Sequence, residues 1–136
     1  MKPAKFDYHD PTTLDEALDL MSLYGEGARP LAGGQSLVPL MNFRLLHPTH
    51  ILDLNGVGDL DYLKVDNGKL RLGATTRQRA LERSPVVAQR WSLLRDATSF
   101  IGHVQIRTRG TVGGSIAHAF PSAELPVAMV TLRASL

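Results

Sequence analysis

The first 56 residues alternate between two apolar rhythms. In "KFDYHDP" (5–11) Phe6 and Tyr8 fall on alternate positions, which predicts a short strand with both side chains on one face. In "TTLDEALDLMSLYG" (12–25) Leu14, Ala17, Leu18 and Met21 return at helical spacing. Thr13 can cap this helix, Glu16 stands where a capping box needs it, and Gly25 is a natural terminator. The Leu14/Leu18/Met21 stripe reads as core, and Asp15, Glu16 and Asp19 read as the solvated face. "ARPLA" (28–32) predicts a second strand, "SLVPLMNFRLL" (36–46) a brief helix capped by Ser36, and "HILDLNG" (50–56) a third strand. Strands alternating with helices predict a small parallel α/β unit with right-handed crossovers.

The pattern changes after Gly56. "YLKVDNGKLRLGA" (62–74) alternates in period two around Asn67-Gly68, a strong hairpin signal. "TTRQRALERS" (75–84) reads as a polar helix, and "VVAQRWSLLRDATSFIG" (86–102) holds one or two more, with Trp91 in the core. A last helix is expected to start near Ser122, with Pro121 ahead of it and Pro126 within its first turn.

Two stretches stand out against this framework, "RPLAGGQSLVP" (29–39) and "RGTVGGSIAHA" (109–119). A tight turn can point successive backbone N–H groups at one anion, and glycine keeps the approach clear of side chains. A helix starting just behind the turn adds unpaired donors. Gly33-Gly34 before Ser36 meets those terms, and so does Gly113-Gly114 with the Ser115 hydroxyl. A Gly-Gly pair is equally the signature of an ordinary turn, and each loop alone leaves both readings open. Neither loop is a Walker loop or a G-x-G-x-x-G fingerprint.

"LAGGQSLVPLMNFRLLHPTHILDLNGV", "IGHVQIRTRGTVGGSIAHAFPSAELP" and the initial "FDYHDPTTLDEALDLM" together resemble the FAD-binding medium subunit of molybdenum hydroxylases, the family of carbon monoxide dehydrogenase, xanthine dehydrogenase and aldehyde oxidase. The resemblance runs through essentially the whole chain in order and spacing. It implies an α+β fold of the molybdenum hydroxylase flavoprotein type. Residues 1–56 would form a small parallel α/β subdomain and residues 57–136 an incomplete mixed α+β subdomain. The implied cofactor is FAD, its diphosphate embraced from two sides. Ala32, Gly33, Gly34, Gln35, Ser36 and Leu37 would form one cradle, and Thr111, Gly113, Gly114 and Ser115 the other. The family usually has Asn or Asp where Ser115 stands, and often His where Gln35 stands. Ile101 and Gly102 match positions beside the flavin and its linker. Glu124 matches an acid that accepts hydrogen bonds from FAD hydroxyls, though an acid at a helix start also stabilises the helix dipole. His118 lies near the cofactor by the same resemblance, and a structural histidine reads equally well.

The resemblance further implies an oxidoreductase subunit without catalytic acid–base residues of its own. It would receive electrons from an iron–sulfur small subunit served by a molybdenum large subunit, and pass them to an external acceptor in a heteromeric complex. Members of the family are longer, so the chain reads as a fragment, a split subunit or a truncated product. The competing reading is a non-catalytic remnant that binds a partner chain or a nucleotide without redox turnover.

Composition narrows the field further. The chain has 136 residues, 43% of them hydrophobic, which suits an ordinary folded domain. A net charge of +2 with scattered Lys and Arg offers no clustered face for nucleic acid. There is no cysteine, so disulfides, thiolate metal sites and thiol nucleophiles are excluded within these residues. His47 and His50 flank Pro48 without a third ligand nearby, which argues against a metal pair. Arg44 and Arg107 could attract a diphosphate or a neighbouring subunit, or serve in ion pairs. Without an apolar signal-peptide core or a membrane-length run, a cytoplasmic protein is expected.

Overall fold

A computed structural model describes residues 1–136. Three short parallel strands, β1 (Asp7–His9), β2 (Ala28–Leu31) and β3 (His50–Asp53), form a sheet in the order β1-β3-β2. β3 is central, pairing Ile51 with both Tyr8 and Arg29, and its Ile51 and Leu52 are buried. Helix α1 (Leu14–Tyr24) links the two outer strands, and α2 (Leu37–Asn42) links β2 to β3. The Asn67-Gly68 turn joins β4 (Leu63–Asp66) to β5 (Lys69–Leu72), with both residues at positive φ as a two-residue hairpin requires.

Six helices follow: α3 (Gln78–Arg83), α4 (Pro85–Arg90), α5 (Ser92–Ser99), α6 (Val104–Arg109), α7 (Val112–His118) and α8 (Glu124–Thr131). Their shared core is Leu81, Val87, Leu94, Val112, Leu125 and Ala128, with Leu63, Leu70 and Leu72 of the hairpin and Trp91 packed against it. No helix is long and apolar enough to cross a membrane.

Several local expectations need correction. Only Ala17 of α1 is buried, while Leu14 and Leu18 are 42% and 57% exposed; α1 meets the sheet on a narrower stripe than its apolar residues span. The Thr13 cap forms, its hydroxyl accepting from the Glu16 amide, but Glu16 answers the amide of Thr12 rather than that of Thr13. Gly25 ends the helix at φ +50 as expected. Ser36 occupies the cap position of α2 with helical dihedrals, so its hydroxyl makes no cap bond. The "polar helix" of residues 75–84 is an inner element, with Thr75, Thr76, Gln78 and Leu81 all buried. Thr76 Oγ1 donates to the Tyr62 carbonyl, and the Thr75 amide donates to that of Leu60. The last helix begins at Glu124 rather than Ser122, which leaves Pro126 at its third position, where a missing N–H breaks no helical bond.

Candidate functional site

Segment 32–37 leaves the carboxyl end of β2, where ligands of open parallel sheets characteristically bind. Gly34 there has φ +69, a conformation that favours glycine. The backbone amides of Gly33, Gly34, Gln35, Ser36 and Leu37 donate to no protein acceptor, so five successive N–H groups stand free. The Gln35 side chain turns back to the Gly33 carbonyl at 3.1 Å, which holds the loop's shape.

The second glycine pair is built differently. Gly113 and Gly114 belong to the first turn of α7 and not to a turn ahead of it. Their donors are used within the fold. The Val112 amide donates to Thr76 O, that of Gly113 to Ala74 O, and that of Gly114 to the capping hydroxyl of Thr111. A methyl group at 113 would lie 2.7 Å from Ala74, so this glycine admits the neighbouring segment rather than an anion. The expectation of two equivalent amide nests therefore fails, because segment 74–76 runs alongside α7 and takes the donors that the second loop would have offered.

The two loops nonetheless meet. A methyl group on Gly33 would lie 2.5 Å from Arg109 O, 2.7 Å from Gly110 Cα and 3.0 Å from Thr111 N. One on Gly114 would reach the Ala32 methyl at 3.8 Å. Between and beside them runs a cleft of about 760 Å³. Ala32, Gly33, Gly34, Gln35, Ser36 and Leu37 line one side, Thr111, Gly113, Gly114 and Ser115 another, and Ile101 and Glu124 complete the wall. Gly102 is not in the lining. Its φ of +42 shapes the turn that presents Ile101.

That turn is braced by Arg107. This buried side chain donates to the carbonyls of Ile101 and Gly102 at 2.8 and 2.9 Å and pairs with both carboxylate oxygens of Glu82. Hydrogen bonds from Arg107, then from Arg79, hold the Glu82 carboxyl below the usual glutamate range. Of the roles open to Arg107, the structure has the ion pair.

The only titratable side chains lining the cleft are Arg29, His118 and Glu124, so its donors toward an anion are mainly neutral amides. Sequence reasoning missed Ala74, Gln78, Ile106, Leu54 and Gly110, all of which also line it. Gly110 carried a legible signal as a third glycine beside the motif. Gln78 carried none, because a glutamine in a polar stretch does not announce its burial.

A family profile described as "FAD binding domain in molybdopterin dehydrogenase" matches residues 4–136. The chain is 43% identical over 134 residues to the 6-hydroxypseudooxynicotine dehydrogenase complex subunit alpha of Paenarthrobacter nicotinovorans, covering 98% of this chain and 45% of that protein. It is 40% identical over 135 residues to the carbon monoxide dehydrogenase medium chain of Afipia carboxidovorans, covering 99% and 47%. Among solved structures, quinoline 2-oxidoreductase from Pseudomonas putida 86 superposes with a TM-score of 0.92 at 38% identity, covering 97% of this chain and 46% of that one. Carbon monoxide dehydrogenase from Hydrogenophaga pseudoflava superposes with a TM-score of 0.90 at 39% identity, covering 93% and 44%. The chain thus spans less than half the length of these relatives. The fold is that of molybdenum hydroxylase FAD subunits, and the chain belongs to the FAD-binding domain family of molybdopterin dehydrogenases.

Proposed function

We propose that this chain holds FAD in the cleft between its glycine loops and is the flavin-carrying part of an electron relay. FAD when bound supplies reversible redox chemistry at its isoalloxazine ring. The observation that carries the reading is the run of five free amides from Gly33 to Leu37. A diphosphate offers only acceptor oxygens, and a row of fixed N–H donors meets it without a lysine or a metal ion. The residues present fit the group. Gly33 lets the loop seat against segment 109–111, Gly34 supplies the positive φ of its turn, and the Ser36 hydroxyl, unused as a cap, is free to bond an oxygen.

The opposite wall acts by its shape. Thr111, Gly113 and Gly114 bring backbone close to the ligand, and Ser115 adds a hydroxyl. Glu124 suits ligand hydroxyls, since its charge would repel a phosphate. Ile101, fixed through Arg107, gives a flat ring an apolar side. The relatives are named as medium chains and as a subunit of a dehydrogenase complex. On that likeness we place this chain in a cytoplasmic heteromeric complex, receiving electrons from an iron–sulfur subunit served by a molybdenum subunit and passing them to an external acceptor.

The test is direct. Titration of the purified chain with FAD, followed by quenching of flavin fluorescence, is expected to saturate at one FAD per chain. A colourless protein that takes up no FAD overturns the reading.

A further inference from the structure

Gln78, the first residue of α3, is 6% exposed, and its Oε1 is the one buried side-chain polar atom in the chain without a hydrogen-bond partner. Its backbone is firmly held, the amide donating to Gly110 O at 2.9 Å. The carboxamide lies against the bare Cα of Gly110, where a methyl group would stand 2.5 Å from Oε1. Gly110 is in turn the residue on which Gly33 packs. Gln78 therefore sits across one glycine from the amide cradle, and it lines the same cleft with Ile101 and Ile106 on the apolar flank.

A buried acceptor without a donor destabilises the chain that carries it, and native proteins rarely keep one without use. Methionine or leucine would fill this space without the penalty. No protein group donates to this glutamine oxygen, which leaves a ligand in the cleft as the donor to test.

We propose that the Gln78 carboxamide is a ligand-binding group that accepts a hydrogen bond from the bound nucleotide beyond its diphosphate. An ionised diphosphate has no hydrogen to give, so the partner is a hydroxyl or a ring N–H. The Ile101 and Ile106 side chains that line the same cleft suit a hydrocarbon stem or a flat ring. In FAD that describes the ribityl-flavin half, so the inference rests on the FAD reading and deepens it.

The test is Gln78→Met, compared with wild type for thermal stability without ligand and for affinity toward FAD and ADP; ADP carries the diphosphate and adenosine but no flavin. The unliganded variant is expected to melt at or above the wild-type temperature. FAD affinity is expected to fall about tenfold or more, and ADP affinity to stay within about twofold. A variant that is less stable without ligand and binds FAD as wild type does would make Gln78 a structural residue and overturn the proposal. Equal losses for FAD and ADP would overturn it as well. Should the variant not fold, the side-chain amide signals of Gln78 in the wild-type NMR spectrum serve instead: their hydrogen exchange is expected to slow with FAD but not with ADP, and unchanged exchange overturns the proposal. Wild-type protein that binds neither nucleotide would overturn the FAD reading itself, and with it this inference.

Discussion

Replacing Gly33 with alanine tests the junction on which the cleft depends. Gly33 does not have positive φ, so the substitution adds no backbone penalty, and its effect is steric. The new methyl would lie 2.5 Å from Arg109 O, 2.7 Å from Gly110 Cα and 3.0 Å from Thr111 N. All three are backbone atoms, and none can yield by changing rotamer. Ordinary contact lies near 3.5–4.0 Å, so the loops must part by about 1 Å. Overpacking of this kind costs about 1–3 kcal/mol, which for a domain of this size lowers Tm by roughly 3–12 °C. The same movement carries the amides of Gly33 and Gly34 out of line with a diphosphate, and FAD affinity is expected to fall by about tenfold or more. Gly58→Ala is the matched control, because nothing lies within 4 Å of a methyl there. It should leave Tm unchanged or raise it slightly. Thermal melts and flavin fluorescence titrations of the two variants are the assay. Gly33→Ala that melts and binds FAD like Gly58→Ala would refute the contact between the loops.

Gly34→Val should abolish FAD retention in flavin titrations, since φ there is +69 and its Cβ would meet Leu31 and Val38 at 3.1 Å. Arg107→Met leaves Glu82 to Arg79 alone and takes the donor from the carbonyls of Ile101 and Gly102, and is expected to cost roughly 1–3 kcal/mol in urea unfolding. Glu82 is held below its ordinary pKa, so its contribution is complete above about pH 4.3 and is lost as pH falls through the lower folded value; Glu82→Gln should flatten the acid limb of stability against pH. Tyr8 runs the other way. Its hydrogen bond to Asp53 pushes the phenol up to about 12, so that contribution is present below about pH 10 and is lost as pH rises toward 12; Tyr8→Phe should remove this alkaline loss in melts across that range.

The order of elements up to the hairpin was legible because each rests on neighbours a few residues apart. The Thr13 cap, the Gly25 stop, the Asn67-Gly68 turn and the alternation of β4 and β5 all depend on local geometry. Helix α6 was not legible. Val104, Ile106 and Arg107 give no clean apolar stripe, and the residue that α6 buries is a charged one whose partner, Glu82, lies 25 positions away. The Leu14/Leu18/Met21 stripe misled for the opposite reason, since periodicity reports which side chains share a face but not how much of that face a small sheet can cover.

The sequence by itself determined that two glycine-bearing loops exist, that one follows a strand, and that the chain resembles a flavoprotein. Only the tertiary structure decided what the loops do. "GGQSL" keeps its five amides free because the segment packed beside it, 109–111, meets the Cα of Gly33 and takes none of the loop's N–H groups, whereas "TVGGS" gives its amides to Ala74, Thr76 and its own cap. Both pairs read alike in the sequence, because a backbone donor is free or committed according to carbonyls brought in from dozens of residues away. Gln78 is the same case for a side chain: its residue type was visible from the start, but its isolation appeared only once Gly110 and α6 had closed around it.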